Sequence, residues 1–207
     1  GIIVFGVKKG IEKSTVIMMP LLFLILVVLC IRSLTLPGSL EGIRFLFQPD
    51  FSKIDSAAIL AALGQVFFSM SIGMGTLITY ASYFPKSDNL LGTSFSVAFT
   101  DTLVAILAGV AIFPAVFSFH IEPGYGPGLV FVTLPGIFLQ MPGGSFFAVL
   151  FFLLLALAAL TSTISVLEVI VAFFSEELKM TRKAATWTAA GTVSILGLMS
   201  TLAWNPM

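Results

Sequence analysis

The chain has 207 residues, 58% of them hydrophobic and only 10% charged, with a formal net charge of zero and a mean hydropathy of +1.10. A soluble domain carries about 25% charged residues, so the polar surface needed to face water is missing and the class is an all-α polytopic membrane protein. The short alternating segments of a membrane β-barrel are absent, and zero net charge gives no electrostatic case for a nucleic-acid partner.

Five apolar stretches exceed the roughly 20 residues needed to cross hydrocarbon. They predict helices over about 14–36, 57–84, 90–117, 146–174 and 184–204. Lys8, Lys9 and Lys13 precede the first stretch, Lys86 follows the second, and Lys179, Arg182 and Lys183 separate the fourth from the fifth. The other side carries Arg32, Arg44 and Lys53 among Glu41, Asp50, Asp55 and Glu122. The heavier Lys/Arg load marks the first side as cytoplasmic. The chain opens on Gly1 rather than Met, shows no signal peptide, and closes on "WNPM" just after an apolar run. It reads as a piece of a longer protein, with a small N-terminally processed protein as the alternative.

Across the start of the first stretch, nine residues separate Gly10 from Pro20. Glycine loosens a helical turn and proline removes a backbone donor, which predicts a kink at the membrane entry. Cys30 is the only cysteine and reads as packing. The second stretch carries "FFSMSIGMGTLITY", with Ser69, Ser71, Gly73 and Gly75 near its middle. Small residues of this kind serve close helix packing. They also serve an unwound turn, because glycine is a poor helix former and non-helical backbone at this depth survives where it is buried or lines a cavity.

Asp101 lies well inside the third stretch, flanked by Thr100 and Thr102. A carboxylate in hydrocarbon needs a cation, a proton or a neighbouring helix to offset its burial. The loop that follows, about 118–142, holds His120 with no metal-ligand partner nearby and an apolar run, Leu129 to Leu139, that predicts a short packed helix rather than a free linker. "LTSTIS", 160–165, brings four hydroxyls into the fourth stretch. Such hydroxyls usually bond their own helix, yet with carbonyls they also suit a hard cation. Glu168 follows six residues after Ser162 and reads as a protonated or water-linked structural carboxyl.

"GQVFFSMSIGMGTLITYASYFPK", "TDTLVAILAGVAIFPA", "TLPGIFLQMPGGSFFAVLFFLLLALAALTSTIS" and "EELKMTRKAATW" together resemble the neurotransmitter:sodium symporters, especially the bacterial amino-acid members, in family order and over nearly the whole chain. The resemblance implies an inverted-repeat transporter fold with a broken midmembrane helix, of which this chain holds the family's fifth to ninth helices. It implies sodium-coupled transport of hydrophobic L-amino acids across the inner, plasma membrane. Phe68, Ser69, Ser71, Gly73, Met74 and Val166 would contact substrate. Ser69 and Asp101 would hold a first sodium ion, and Ala158, Thr161 and Ser162 a second, each site only partly supplied here. Gln65 and Phe68 would belong to the outer gate, and Gly10 with Pro20 would let the inner half of their helix unwind. The segment Leu129 to Leu139 resembles the outer lid.

Asp101 stands where many members have Asn, while Ala105 lacks the carboxylate of some chloride-independent relatives. A built-in charge at Asp101 therefore implies transport without chloride, with proton countertransport. The expected partners are an amino acid, sodium, membrane lipid and the missing helices. The rival readings are a channel, an intramembrane hydrolase using Asp101 with Glu168 as its second carboxylate, and a non-transporting assembly fragment.

Overall fold

The computed structural model describes residues 2–85, 87, 89–121 and 126–203. Lys86, Glu122, the 122–125 part of the lid and Trp204 lie outside the described residues, as do the side chains of Lys8 and Lys53. Every regular element among the described residues is helical. A 3-10 turn (Ile2–Phe5) and a π-helical turn (Val7–Glu12) lead into α1 (Lys13–Leu34). Next come α2 (Ser39–Phe47), α3 (Ser56–Ser69), α4 (Thr76–Ala81) and α5 (Leu90–Ser118). A π-helical turn (Leu129–Thr133) opens α6 (Leu134–Gln140), and α7 (Gly144–Glu176) and α8 (Arg182–Ala203) close the chain.

Among the described residues, three helices are long and apolar enough to cross a membrane: Lys9–Leu34, Leu90–Ser118 and Gly144–Glu176. The second apolar stretch is divided between α3 and α4. The last, α8, has 22 residues but is diluted by Thr, Ser and Gly, and is not one of the three. Local chemistry sets several helix starts. The Asp55 carboxylate accepts the Ala58 N–H at 2.7 Å, and Asn89 Oδ1 accepts that of Gly92 at 3.1 Å, each satisfying an amide that the first helical turn leaves open.

The chain divides into two compact units. One comprises 18–70 and 87–158. Its core joins Ile25 and Leu29 of α1, Ala115 and Val116 of α5, Leu134, Ile137 and Phe138 of α6, and Phe151 of α7. The short helix is thus built into the core, with Ile137 fully buried. Against α5 lies α2, where the Phe45 ring meets Phe113 and Phe117 at 5.1 Å each.

Gly42 makes that approach possible, since a Cβ there would come within 2.5 Å of Pro114 backbone atoms. Gly42→Ala is therefore expected to displace α2 and cost about 1–3 kcal/mol. Gly109→Ala meets only the movable end of Leu46, at 3.1 Å, and should cost less. Thermal melts of the two purified variants check this, and equal melting points would refute the backbone-contact account.

The other unit comprises 1–17, 71–86 and 159–207. Its core joins Ile3 and Ile11 of the N-terminal turns, Ile164 and Val171 of α7, and Ala185 and Ala189 of α8. Gly10 is buried here in the π-helical turn, and a Cβ on it would overlap the Ile2 carbonyl. The structural demand on Gly10 is therefore close approach of backbone, a reason distinct from loosening of the turn.

Candidate functional site

The second apolar stretch cannot stay helical through its middle. At Ser69 α3 ends, and the Met70 N–H turns to Val66 O and Phe68 O. Ser71 (φ 53°), Gly73 (φ 84°) and Gly75 (φ 78°) then take left-handed backbone. Two glycines adopt it without penalty, whereas Ser71 does so against the steric preference of an L-residue. Helix resumes at Thr76. The division between the two units falls inside this break, between Met70 and Ser71.

In the first unit, Ser69 closes α3 beside α5. Its hydroxyl lies 2.8 Å from each carboxylate oxygen of Asp101. Residues 32 positions apart thus form one cluster of hard oxygens, the donor type that hard cations take. The flanking Thr100 and Thr102 hydroxyls bond back to Ser96 O and Ala98 O on their own helix. Gln65 and Phe68 are exposed, as is every residue of α3.

In the second unit, the resumed helix packs on α7. A Cβ on Gly75 would meet Val169 Cγ1 at 3.2 Å. Two tyrosines reinforce the contact: the Tyr80 hydroxyl donates to Ser165 Oγ at 3.0 Å, and that of Tyr83 to Glu168 Oε1 at 3.0 Å. Thr161 and Ser162 lie on the same helix one turn earlier. Ala158, on the preceding turn of α7, is the last residue of the other unit.

Met74 and Val166, expected to wall a substrate pocket, are 45% and 46% exposed. An apolar groove of about 290 Å³ in this unit is lined instead by residues including Ile2, Ile164, Leu167 and Trp187. Ser71, Gly73, Met74 and Val166 therefore stand on the surface of one unit, and Phe68, Ser69 and Asp101 in the other.

Glu168 requires a correction. Its partner is a cation on another helix: it is fully buried and ion-paired with Arg182, whose Nη2 lies 2.7 Å from Oε2 and 2.8 Å from Oε1. Arg182 also donates its Nε–H to Ile3 O at 3.0 Å, so one guanidinium ties α7, α8 and the N-terminal turn together. Tyr83 and Arg182 both engage its oxygens, so the carboxylate that the hydrolase reading needed is already taken up in a structural ion pair. Among the described residues, no group of three or more His, Cys, Asp or Glu could hold a metal ion.

A helical membrane fold whose middle helix is broken, with side-chain oxygens gathered beside the break, is the architecture of secondary transporters. The chain matches the sodium:neurotransmitter symporter family over residues 1–204, and it belongs to that family. It is 49% identical over 193 residues to a sodium-dependent transporter of Haemophilus influenzae, covering 93% of this chain and 42% of that protein. Over 200 residues it is 42% identical to the sodium-dependent transporter YhdH of Bacillus subtilis, covering 97% and 44%. Its fold is similar to the crystal structure of MhsT in complex with L-phenylalanine, with TM-score 0.85 and 50% identity over 98% of this chain and 46% of MhsT. The chain thus spans less than half the length of these relatives.

Proposed function

We propose that this chain is the central part of a sodium-coupled symporter of hydrophobic L-amino acids. It works by alternating access in the inner membrane together with helices outside the present chain. The observation that carries the reading is the Ser69–Asp101 oxygen cluster at the mouth of the helix break. In this reading the cluster is half of a first sodium site. The carbonyl of Ala158 with the hydroxyls of Thr161 and Ser162 supplies half of a second. Unwound backbone at Ser71 and Gly73 meets the amino acid, Met74 and Val166 wall its side chain, and Phe68 with Gln65 closes over it. MhsT, 50% identical, was crystallised with L-phenylalanine, which supports an apolar substrate, as does the chemistry of Met74 and Val166. Asp101 supplies a fixed negative charge, so no chloride is required, and a proton replaces sodium on the empty carrier's return.

The test is uptake of L-phenylalanine by the full-length transporter in vesicles. A sodium gradient should drive accumulation, and preloaded substrate should accelerate exchange. A channel or a non-transporting fragment gives no counterflow. In the same assay, Thr161→Val with Ser162→Ala should move the sodium activation curve to higher concentration while the protein remains folded. An unchanged curve would remove both residues from the second sodium site. Met74→Phe should narrow the range of competing amino acids and disfavour the largest, since a rigid ring fills space that a thioether can vacate. An identical selectivity profile would take Met74 out of the pocket.

A further inference from the structure

The two tyrosine contacts share a register. Tyr80 with Ser165 and Tyr83 with Glu168 are each separated by 85 positions, so they form successive rungs between the resumed half of the broken helix and α7. The rungs end differently. That of Tyr83 terminates on a carboxylate already fixed by Arg182. That of Tyr80 continues: Ser165 Oγ accepts the phenol proton and donates its own to the Thr161 carbonyl at 3.1 Å. A serine hydroxyl has one proton to give, and here both its accepting and its donating capacity are used.

A hydroxyl that bonds back four residues competes with the helix's own amide for the same carbonyl and bends the helix locally. The Ser165 bond closes on the turn Thr161–Ser165, which contains Thr161 and Ser162. The phenol polarises Ser165 and strengthens its bond to that turn.

We propose that Tyr80 is a positioning residue for the second sodium site. It acts through Ser165, which sets the turn presenting Thr161 and Ser162, and so makes sodium affinity depend on the Tyr80–Ser165 hydrogen bond in particular. The inference rests on the reading of Thr161 and Ser162 as sodium ligands. It adds a dependence of ion affinity on a residue of another helix, one placed to touch neither ion nor amino acid.

Equilibrium binding of ²²Na⁺ to the purified full-length transporter tests it, with amino-acid affinity at saturating sodium as the companion measurement. Tyr80→Phe keeps the ring and removes the donor. It should raise the half-saturating sodium concentration about three- to tenfold, the worth of one hydrogen bond, and leave amino-acid affinity at saturating sodium unchanged. Ser165→Ala should do the same, and the double variant should be no weaker than either single one, because the two groups act in series. Tyr83→Phe should leave the sodium curve in place. A wild-type sodium curve in Tyr80→Phe overturns the proposal. So does an equal shift in Tyr83→Phe, which would make the effect one of helix docking in general. If Thr161→Val with Ser162→Ala shifts the curve and Tyr80→Phe does not, the relay falls and the second site stands. If neither shifts it, the site reading falls as well.

Discussion

Arg182→Met is expected to cost about 3–5 kcal/mol, enough to unfold or grossly destabilise most domains. Glu168 is fully buried, and Arg182 holds both of its oxygens. Removing the guanidinium leaves a carboxylate with no cation in a site walled by α7 and α8. It also strips the donor from Ile3 O, so the N-terminal turn loses its tether. The partial exposure of the Arg182 side chain, 29%, lets water reach one side of the pair and sets the cost toward the lower end of that range. The decisive comparison is with Arg182→Met/Glu168→Gln. The double variant removes both charges and keeps an oxygen for the Tyr83 hydroxyl. It should recover most of the lost stability, because the penalty lies in the unpaired buried charge rather than in losing the attraction. Thermal unfolding of the three full-length proteins in detergent reads this directly. A double variant as unstable as Arg182→Met would mean that packing by the arginine stem, not charge pairing, is what matters.

On the proposed reading, Asp101→Asn is expected to abolish uptake in chloride-free medium, a loss of about tenfold or more once the charge opposite the cation is removed. The fold should survive, since Asn retains an oxygen for the Ser69 hydroxyl that now lies 2.8 Å from both carboxylate oxygens. What is lost, on that reading, is the negative charge that would offset sodium and the group that would carry a proton in its place. Uptake should return when chloride supplies the missing charge, and the proton movement that the proposal expects of the wild type should be absent. Reconstituted vesicles with gluconate or chloride outside and a pH dye inside measure both. Wild-type uptake that needs chloride, or proton movement that persists in Asp101→Asn, would falsify this role for Asp101.

Two glycines and two serines within seven residues weaken a helix locally but fit close packing as well as an unwound turn, and it was the family resemblance that implied the break. The family motifs carried the transporter fold because they lie along contiguous chain. Asp101 stood out by composition alone, as a carboxylate inside hydrocarbon.

Its contact with Ser69 is another matter. Position 69 fits a packing residue and an ion ligand equally well, and only the folded arrangement of α3 and α5 puts its hydroxyl between the carboxylate oxygens. Glu168 was misread because its partner lies beyond a helix end. Within α7, helical spacing relates Glu168 to residues three and four away, and none of these is basic. Arg182 is 14 positions on, past the turn into α8, where no periodicity connects the two.

Ser165 shows the same divide within one side chain. Its bond to the Thr161 carbonyl is the local habit expected of a hydroxyl in a helix. Its second bond, to Tyr80, arises only when the resumed half of the broken helix packs on α7. By itself, the amino-acid order determined where the chain is apolar, where its helix is weakest and which charges must find partners. The tertiary fold alone decided which partners they found, because those contacts join residues whose separation along the chain bears no relation to the helical repeat.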